Sequence, residues 1–334
     1  MAEPVDWALA LATGVRTAGK GPELSLTEAA AEVEALRTAA RAAQAPVASV
    51  TGLTAADDVP AVVVDRPEWI RSNASSLRVL LEPVAATYSG GFAHGVTSRI
   101  AAVELGLALG WMSGKVLGQF EALPGLTGEP RLLLVAPNIV AAAEAMGADA
   151  ADFRLWVCLH EETHRVQFGA VGWLPDFFAD SVATLLADLN AGPGELVSRV
   201  ASGVRSNDGL GLAGLLQAPA SRATMLQLLA LMTLLEGHAD WVMDSAGDVV
   251  PSAPQLRSRF EQRRSSAGLL DTLIRKVLGV DAKMAQYRDG AAFVRAVVGR
   301  VGRDEFNRVW QSPDTLPTMD EIRSPDDWVT RVCR

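Results

Sequence analysis

The chain lacks the features that mark secreted, membrane-spanning and nucleic-acid-binding proteins. Its two cysteines, Cys158 and Cys333, are too few for a disulfide framework, and we interpret them as reduced thiols. The longest apolar run, 223–235, is interrupted by polar residues and is shorter than the roughly 18 residues that cross a bilayer. Acidic residues outnumber basic residues by 39 to 30, and the resulting net charge of −9 argues against nucleic acid or an anionic membrane as the partner.

A secretory signal is not expected either. The first six residues are acidic where a signal peptide would be basic, and the apolar stretch 7–12 is too short for the hydrophobic part of such a peptide. We therefore expect a cytoplasmic protein. Apolar residues make up 49% of the chain, which is enough to form a sizeable core.

Strand patterns are scarce, and helical periodicity dominates. Short apolar runs predict strands at 61–64 and 131–135, so the predicted fold class is mainly α with at most a few short strands. Ser25 and Glu28 predict a capping box at the start of a helix. Helices are predicted at 26–43, 67–88, 95–120, 138–146, 152–168, 174–190, 221–243, 255–277, 284–299 and 303–310.

Two segments have the composition of connections. The first, 57–60, separates an N-terminal helical segment, 1–60, from a catalytic domain, 61–334, although one continuous domain is the alternative. The second, 191–221, is rich in Gly, Ser, Asn and Pro. We interpret it as a surface excursion in preference to a lid over a cleft.

Histidine is scarce too, which makes the placement of two of the four informative. His160, Glu161 and His164 form an HExxH motif within the predicted helix 152–168. Residues four apart project from one helix face, so the two histidines can bind one metal ion. Glu161 lies about 100° further round the helix and is the predicted general base. The alternative is a pair of core histidines bonded to carboxylates, which is less favourable because buried imidazoles need compensation for lost solvation.

The third metal ligand distinguishes classes of HExxH protein. In metzincins a glycine and a third histidine follow the motif, but Gln167 and Ala170 occupy those positions, which excludes that class. On a later apolar helix, Glu236 and Asp240 match an E-x-x-A-D pattern in which the glutamate binds zinc and the aspartate steadies a ligand histidine. His238 is the rival ligand, and since it lies about 200° from Glu236, only one of them can face the metal.

A site made of His160, His164 and Glu236 leaves zinc's fourth position to water, which is typical of a catalytic centre. Zinc would lower the pKa of this water towards about 7, and Glu161 would accept its proton before the attack on a carbonyl. We therefore predict hydrolytic chemistry with Zn²⁺ as the cofactor.

The oxyanion formed in such a reaction needs a further hydrogen-bond donor. Of the two tyrosines we favour Tyr287, in a polar setting near a predicted helix start, over Tyr88. An ordinary packing or surface tyrosine is an equally acceptable interpretation of Tyr287. His94 is a further candidate, unless it only caps a helix.

Five segments of the chain resemble the sequences of a known protein family. The segments are FRLWVCLHEETHRVQF at 153–168, GWLP at 172–175, LEGHA at 235–239, NRVW at 307–310 and LPT at 316–318. Together they resemble the actinobacterial zincin-like metallopeptidase type 2 family, whose members are labelled hydrolases associated with deazaflavin cofactor biosynthesis. The resemblance spans residues 6–328 and implies a zincin-like, mainly helical metallohydrolase with a zinc site.

Three functions are compatible with these patterns. We favour a zinc metallopeptidase that acts on a peptide or protein substrate. A zinc hydrolase of a non-peptide amide or ester is the first alternative, and a scaffold braced by zinc without catalysis is the second. The presence of Glu161 argues against the scaffold, because a structural zinc needs no adjacent base and usually has four protein ligands.

Overall fold

The structure, a computed structural model, describes residues 5–55, 59–86, 94–122, 128–188, 219–265 and 280–333. Within these ranges the chain forms thirteen α-helices and one three-stranded sheet. The strands are β1 (Ala61–Val64), β2 (Gly118–Glu121) and β3 (Arg131–Val135). The helices are α1 (Trp7–Thr17), α2 (Leu26–Thr51), α3 (Arg66–Ala86), α4 (His94–Ser113), α5 (Ala136–Met146), α6 (Ala150–Ala170), α7 (Leu174–Asp188), α8 (Pro219–Ser245), α9 (Ala253–Ser265), α10 (Val280–Val301), α11 (Arg303–Phe306), α12 (Met319–Arg323) and α13 (Pro325–Val332).

The mainly α fold class is confirmed, and so are both predicted strands with their bounds. One helix prediction is partly wrong. The predicted helix 95–120 ends at Ser113, and its last residues form β2 instead. The apolar periodicity of α4 continues into this strand, so the local sequence pattern does not mark the end of the helix. The segment forms a strand because it pairs with β3.

Helix α2 is longer than its predicted range 26–43. Its capping box forms as predicted, with Ser25 accepting from the amide of Glu28 and the Glu28 carboxylate accepting from the amide of Ser25. The helix continues through Pro46 and ends at Gly52 in the left-handed conformation, with φ 66°. Its buried face packs against α6, and this tertiary contact outweighs the helix-breaking tendency of proline.

Sheet topology places β2 at an edge next to the HExxH helix. The strand order is β1-β3-β2, with β1 parallel and β2 antiparallel to β3. Four of the five residues of β3 are buried, as expected for a central strand. Because β2 also contacts α6, this edge strand forms one wall beside the motif.

The HExxH helix α6 is buried on more than one face. Phe153 and Leu159 lie in its core cluster, and Val166 lies on the same cluster further along the helix. Glu162 and Arg165 are also buried and form an ion pair with a 2.6 Å contact. This burial on several faces arises because α2, α8 and β2 all pack against α6.

Helices α8 and α10 cross closely at two glycines. A Cβ atom on Gly237 would lie 2.1 Å from the carbonyl carbon of Gly290, so neither helix leaves space for a side chain there. Helix α8 runs unbroken through Gly237, which keeps Glu236 and His238 on different faces. Gly237 therefore serves close packing and is not a helix break.

None of the helices in the described ranges is both long and apolar enough to cross a lipid bilayer. Several predictions fall outside those ranges. They concern Tyr88, most of the connection 191–221, the part of helix 255–277 that follows Ser265, and the side chains of His94 and Tyr287.

Candidate metal centre

Both motif histidines and Glu236 meet where α6 packs against α8. The Nε2 atoms of His160 and His164 are 3.1 Å apart. Glu236 reaches both rings, with Oε2 at 3.5 Å from His160 Nε2 and Oε1 at 3.9 Å from His164 Nε2. One ligand atom from each residue lies within 4.8 Å of the others. Two imidazole nitrogens and a carboxylate form the donor set of many catalytic zinc sites.

Electrostatics in this cluster favour a bound positive charge. Burial lowers the pKa of His160, but the hydrogen bond and negative charge of Glu236 outweigh it and raise the pKa to about 9. At His164 burial prevails and the pKa is lowered. The His160 imidazole thus attracts a proton where a metal ion would compete for the same nitrogen. The residues fit a zinc ion in both geometry and charge.

Gln167, three residues after His164, forms a hydrogen bond with the ring nitrogen of His164 that does not face the cluster. Its Oε1 atom lies 2.9 Å from His164 Nδ1, and its Nε2 donates to the backbone carbonyl of Leu235 at 3.0 Å. The same Nε2 lies 2.9 Å from Nδ1 of His238. In the sequence, Gln167 served only to exclude metzincins. The signal that could have identified it is its spacing, because residues i and i+3 are neighbours on a helix surface.

His238, the rival third ligand, is separate from the ligand cluster. Among the described residues, the group that could hold a metal contains Glu236 and not His238. The His238 ring is fully buried, is stacked 5.7 Å from Trp241 and lies close to Phe306 and Trp310. Burial lowers its pKa to about 3, so this imidazole is neutral at physiological pH.

The predicted base, Glu161, lines the same cleft as the ligand cluster and is only 6% exposed. Burial raises the pKa of its carboxyl to about 7, although the positive charge of His160 opposes this shift. Gly118 of β2 packs directly on this side chain. A Cβ atom on Gly118 would lie 2.6 Å from both Cγ and Cδ of Glu161. Sequence reasoning missed Gly118, because only the fold brings β2 to the motif.

A cleft of about 380 Å³ opens above the cluster and Glu161. This volume is within the range of small-molecule binding sites. One wall is β2, where Gln119 is held by hydrogen bonds from Trp69 Nε1 at 2.8 Å and Asn73 Nδ2 at 3.2 Å. The rest of the lining is largely apolar and includes an aromatic row of Phe120, Phe168 and Phe178.

Of the two remaining predicted site residues, only Asp240 has a side chain in the described part of the structure. The carboxylate of Asp240 lies 3.7 Å from Nη1 of Arg257, and its charge also raises the pKa of His160. Its predicted role in steadying a ligand histidine stays a prediction. Tyr287 lies on α10, but its side chain is outside the described part of the structure, so its role also stays a prediction.

The fold and the cluster together describe a mainly helical protein with a candidate metal-binding site. The family model described as zincin-like metallopeptidase matches residues 5–329, and the chain belongs to that family. Comparison with curated proteins gave no match. Among solved structures, the chain resembles one described as "a putative hydrolase with a novel fold" from Chloroflexus aurantiacus, with 30% identity, a TM-score of 0.75 and 99% of each chain covered.

Proposed function

We propose that this chain is a zinc-dependent metallopeptidase that hydrolyses bonds in a peptide or protein substrate. The observation that carries the proposal is the meeting of His160, His164 and Glu236 in a cleft that Glu161 also lines. Three protein ligands leave a coordination position for substrate or water, which is typical of a catalytic site. Membership of the zincin-like metallopeptidase family supports the same chemistry.

Each of the chain's own residues has a defined part in this reaction. A bound zinc ion would polarise the scissile carbonyl and lower the pKa of water. Glu161 accepts the proton of the attacking water and returns it to the leaving amine, and its pKa near 7 in the metal-free protein suits both steps. The carboxylate of Glu236 offsets positive charge at the centre, while Gln167 orients His164 through its Nδ1.

Two features of the cleft favour a peptide as the substrate. Within the described residues, β2 pairs on one side only, with β3, so an extended peptide could add to its other edge through backbone hydrogen bonds. The aromatic row of Phe120, Phe168 and Phe178 offers an apolar surface for a side chain next to the scissile bond. We therefore expect a preference for apolar residues beside the cleaved bond. The composition favours this substrate over nucleic acid or a membrane, and we propose a cytoplasmic location.

The Glu161→Gln variant tests the proposal. The amide has nearly the same shape but cannot accept a proton, so the variant should bind about one zinc per chain and lose hydrolysis by several orders of magnitude. Zinc content by elemental analysis and cleavage of a peptide library by mass spectrometry measure the two properties. Glu144→Gln makes the same chemical change on an exposed position of α5 and should leave both unchanged.

The possible outcomes separate the three functions. His160→Ala should remove most of the zinc, since it deletes one of the three ligands. A wild-type protein that holds zinc and cleaves amides or esters but no peptides would favour the non-peptide hydrolase. Peptide cleavage that Glu161→Gln leaves intact would place the chemistry elsewhere, and a zinc-loaded protein with no hydrolysis of any substrate would favour the scaffold.

A further inference from the structure

Gln167 connects both helices of the metal centre through a single side-chain amide. On α6 it contacts His164, and on α8 it contacts Leu235 and His238. All three contacts have lengths of 2.9 to 3.0 Å, and Gln167 itself is fully buried. Leu235 directly precedes the third ligand, so this amide also ties the ligand-bearing part of α8 to the motif helix.

The backbone carbonyl of Leu235 decides which way the Gln167 amide points. A carbonyl oxygen can only accept a hydrogen bond, so the atom facing Leu235 must be the NH₂ group of Gln167. The other end, Oε1, then faces His164 and can only accept, which requires a proton on His164 Nδ1. A neutral imidazole with its proton on Nδ1 presents a lone pair at Nε2, the atom directed at His160 and Glu236.

His238 takes the remaining hydrogen of the same NH₂ group. Its Nδ1 lies 2.9 Å from Gln167 Nε2 and must act as the acceptor, which assigns the ring proton to Nε2. That Nε2 atom is buried and has no hydrogen-bond partner among the described residues. The ring is instead enclosed by Trp241, Phe306 and Trp310, which hold it in one orientation.

We propose that His238 is a positioning residue, which acts through Gln167 to hold His164 in the tautomer that presents Nε2 to the metal. An unsatisfied buried N–H is costly, so removing the His238 acceptor would leave one hydrogen of the Gln167 NH₂ group without a partner and loosen the position of the amide. A displaced amide would no longer accept a hydrogen bond from His164 Nδ1, and His164 would then populate both tautomers. The inference rests on the proposed function only in taking the ligand cluster to be a zinc site.

The tautomers can be read directly in the metal-free protein. Only four histidines occur in the chain, so ¹⁵N-histidine NMR spectra at neutral pH can be assigned by single substitutions. In the wild type we expect His164 protonated on Nδ1 and His238 protonated on Nε2. In His238→Phe, which keeps the aromatic bulk and removes the acceptor, His164 should become a mixture of tautomers. Gln167→Met should have the same effect, because it removes both hydrogen-bonding ends of the amide at similar volume.

Zinc affinity, measured by competition with a chromophoric chelator, provides the second readout. We expect a loss of about 10- to 100-fold in His238→Phe and Gln167→Met, the usual effect of losing a hydrogen-bond partner behind a ligand. His238→Gln restores an acceptor and should recover both the tautomer and most of the affinity. Gln227→Met, the same change at an exposed position of α8, is the control and should match the wild type.

Each outcome separates positioning from packing. A His238→Phe variant that loses thermal stability but keeps the His164 tautomer and zinc affinity would overturn the proposal, because His238 would then contribute packing alone. If His238→Phe does not fold, Gln167→Met and His238→Gln decide by the same two measurements. A wild-type protein with the expected tautomers and no zinc binding would support the hydrogen-bond assignment and refute the proposed function instead.

Discussion

Gly118→Ala should disable hydrolysis without disturbing the metal ligands. The new Cβ atom would lie 2.6 Å from Cγ and Cδ of Glu161 and 2.8 Å from its Oε1. Carbon atoms in optimal contact are about 3.5 to 4.0 Å apart, so one of the two groups must move by roughly 1 Å. The backbone of Gly118 is fixed by the pairing of β2 with β3, and therefore the Glu161 carboxylate is the group that moves.

The size of the expected effect follows from that displacement. A misplacement of about 1 Å at a reacting group can cost about 100-fold in rate, which corresponds to roughly 2.7 kcal/mol of activation free energy. Overpacking of this kind also lowers stability by about 1 to 3 kcal/mol, which a thermal melt should detect. Zinc affinity should stay close to that of the wild type, because the three atoms nearest to the new Cβ atom all belong to Glu161 and none belongs to a ligand.

The assay compares kcat, KM and zinc affinity of Gly118→Ala with those of the wild type. Gly299→Ala is the matched control, because a Cβ atom there would meet nothing within 4 Å. In a Glu161→Gln background the same glycine substitution should cost little further activity, since the group that it displaces is already disabled. A folded Gly118→Ala protein with the wild-type kcat would refute the assignment of Glu161 as the base.

Two further predictions concern the position of the third ligand. Gly237→Ala should lower the free energy of unfolding by about 1 to 3 kcal/mol or more, because its Cβ would lie 2.1 Å from the carbonyl carbon of Gly290. Urea denaturation measures this loss. An unchanged midpoint would show that the two helices can separate at no cost. Glu236→Ala should weaken zinc binding far more than Asp240→Asn, for which we expect about 10- to 100-fold in a chelator competition assay. The reverse order would mean that Asp240, and not Glu236, belongs to the ligand cluster.

The geometry within the HExxH motif follows from the sequence because it is local. Residues four apart on any regular α-helix share a face, so His160 and His164 converge without help from the rest of the fold. The apolar character of 61–64 and 131–135 is local as well, and both strands form as predicted. Helix α2 shows the limit of local rules, since packing against α6 carries it through Pro46.

Residues that meet across the fold could not be paired from local patterns. Strand β2 has a sequence that continues the helical pattern of α4, and it becomes a strand only by pairing with β3. Gly118 and Glu161 therefore gave no sign of their contact. The helices α1, α12 and α13 are not among the predicted helices, although Asp6 caps the first and a capping box of Thr318 and Glu321 begins the second.

The sequence alone predicts a metal site at the HExxH motif, because the types and spacing of the motif residues fix which atoms two neighbouring helical turns can present. The tertiary structure is needed to show that Glu236, and not His238, lies beside the two histidines. That choice depends on the rotation of α8 against α6, which the close crossing at Gly237 and the hydrogen bonds of Gln167 set together. Neither contact is encoded in a local pattern, since each joins residues that are distant in the chain and adjacent in the fold.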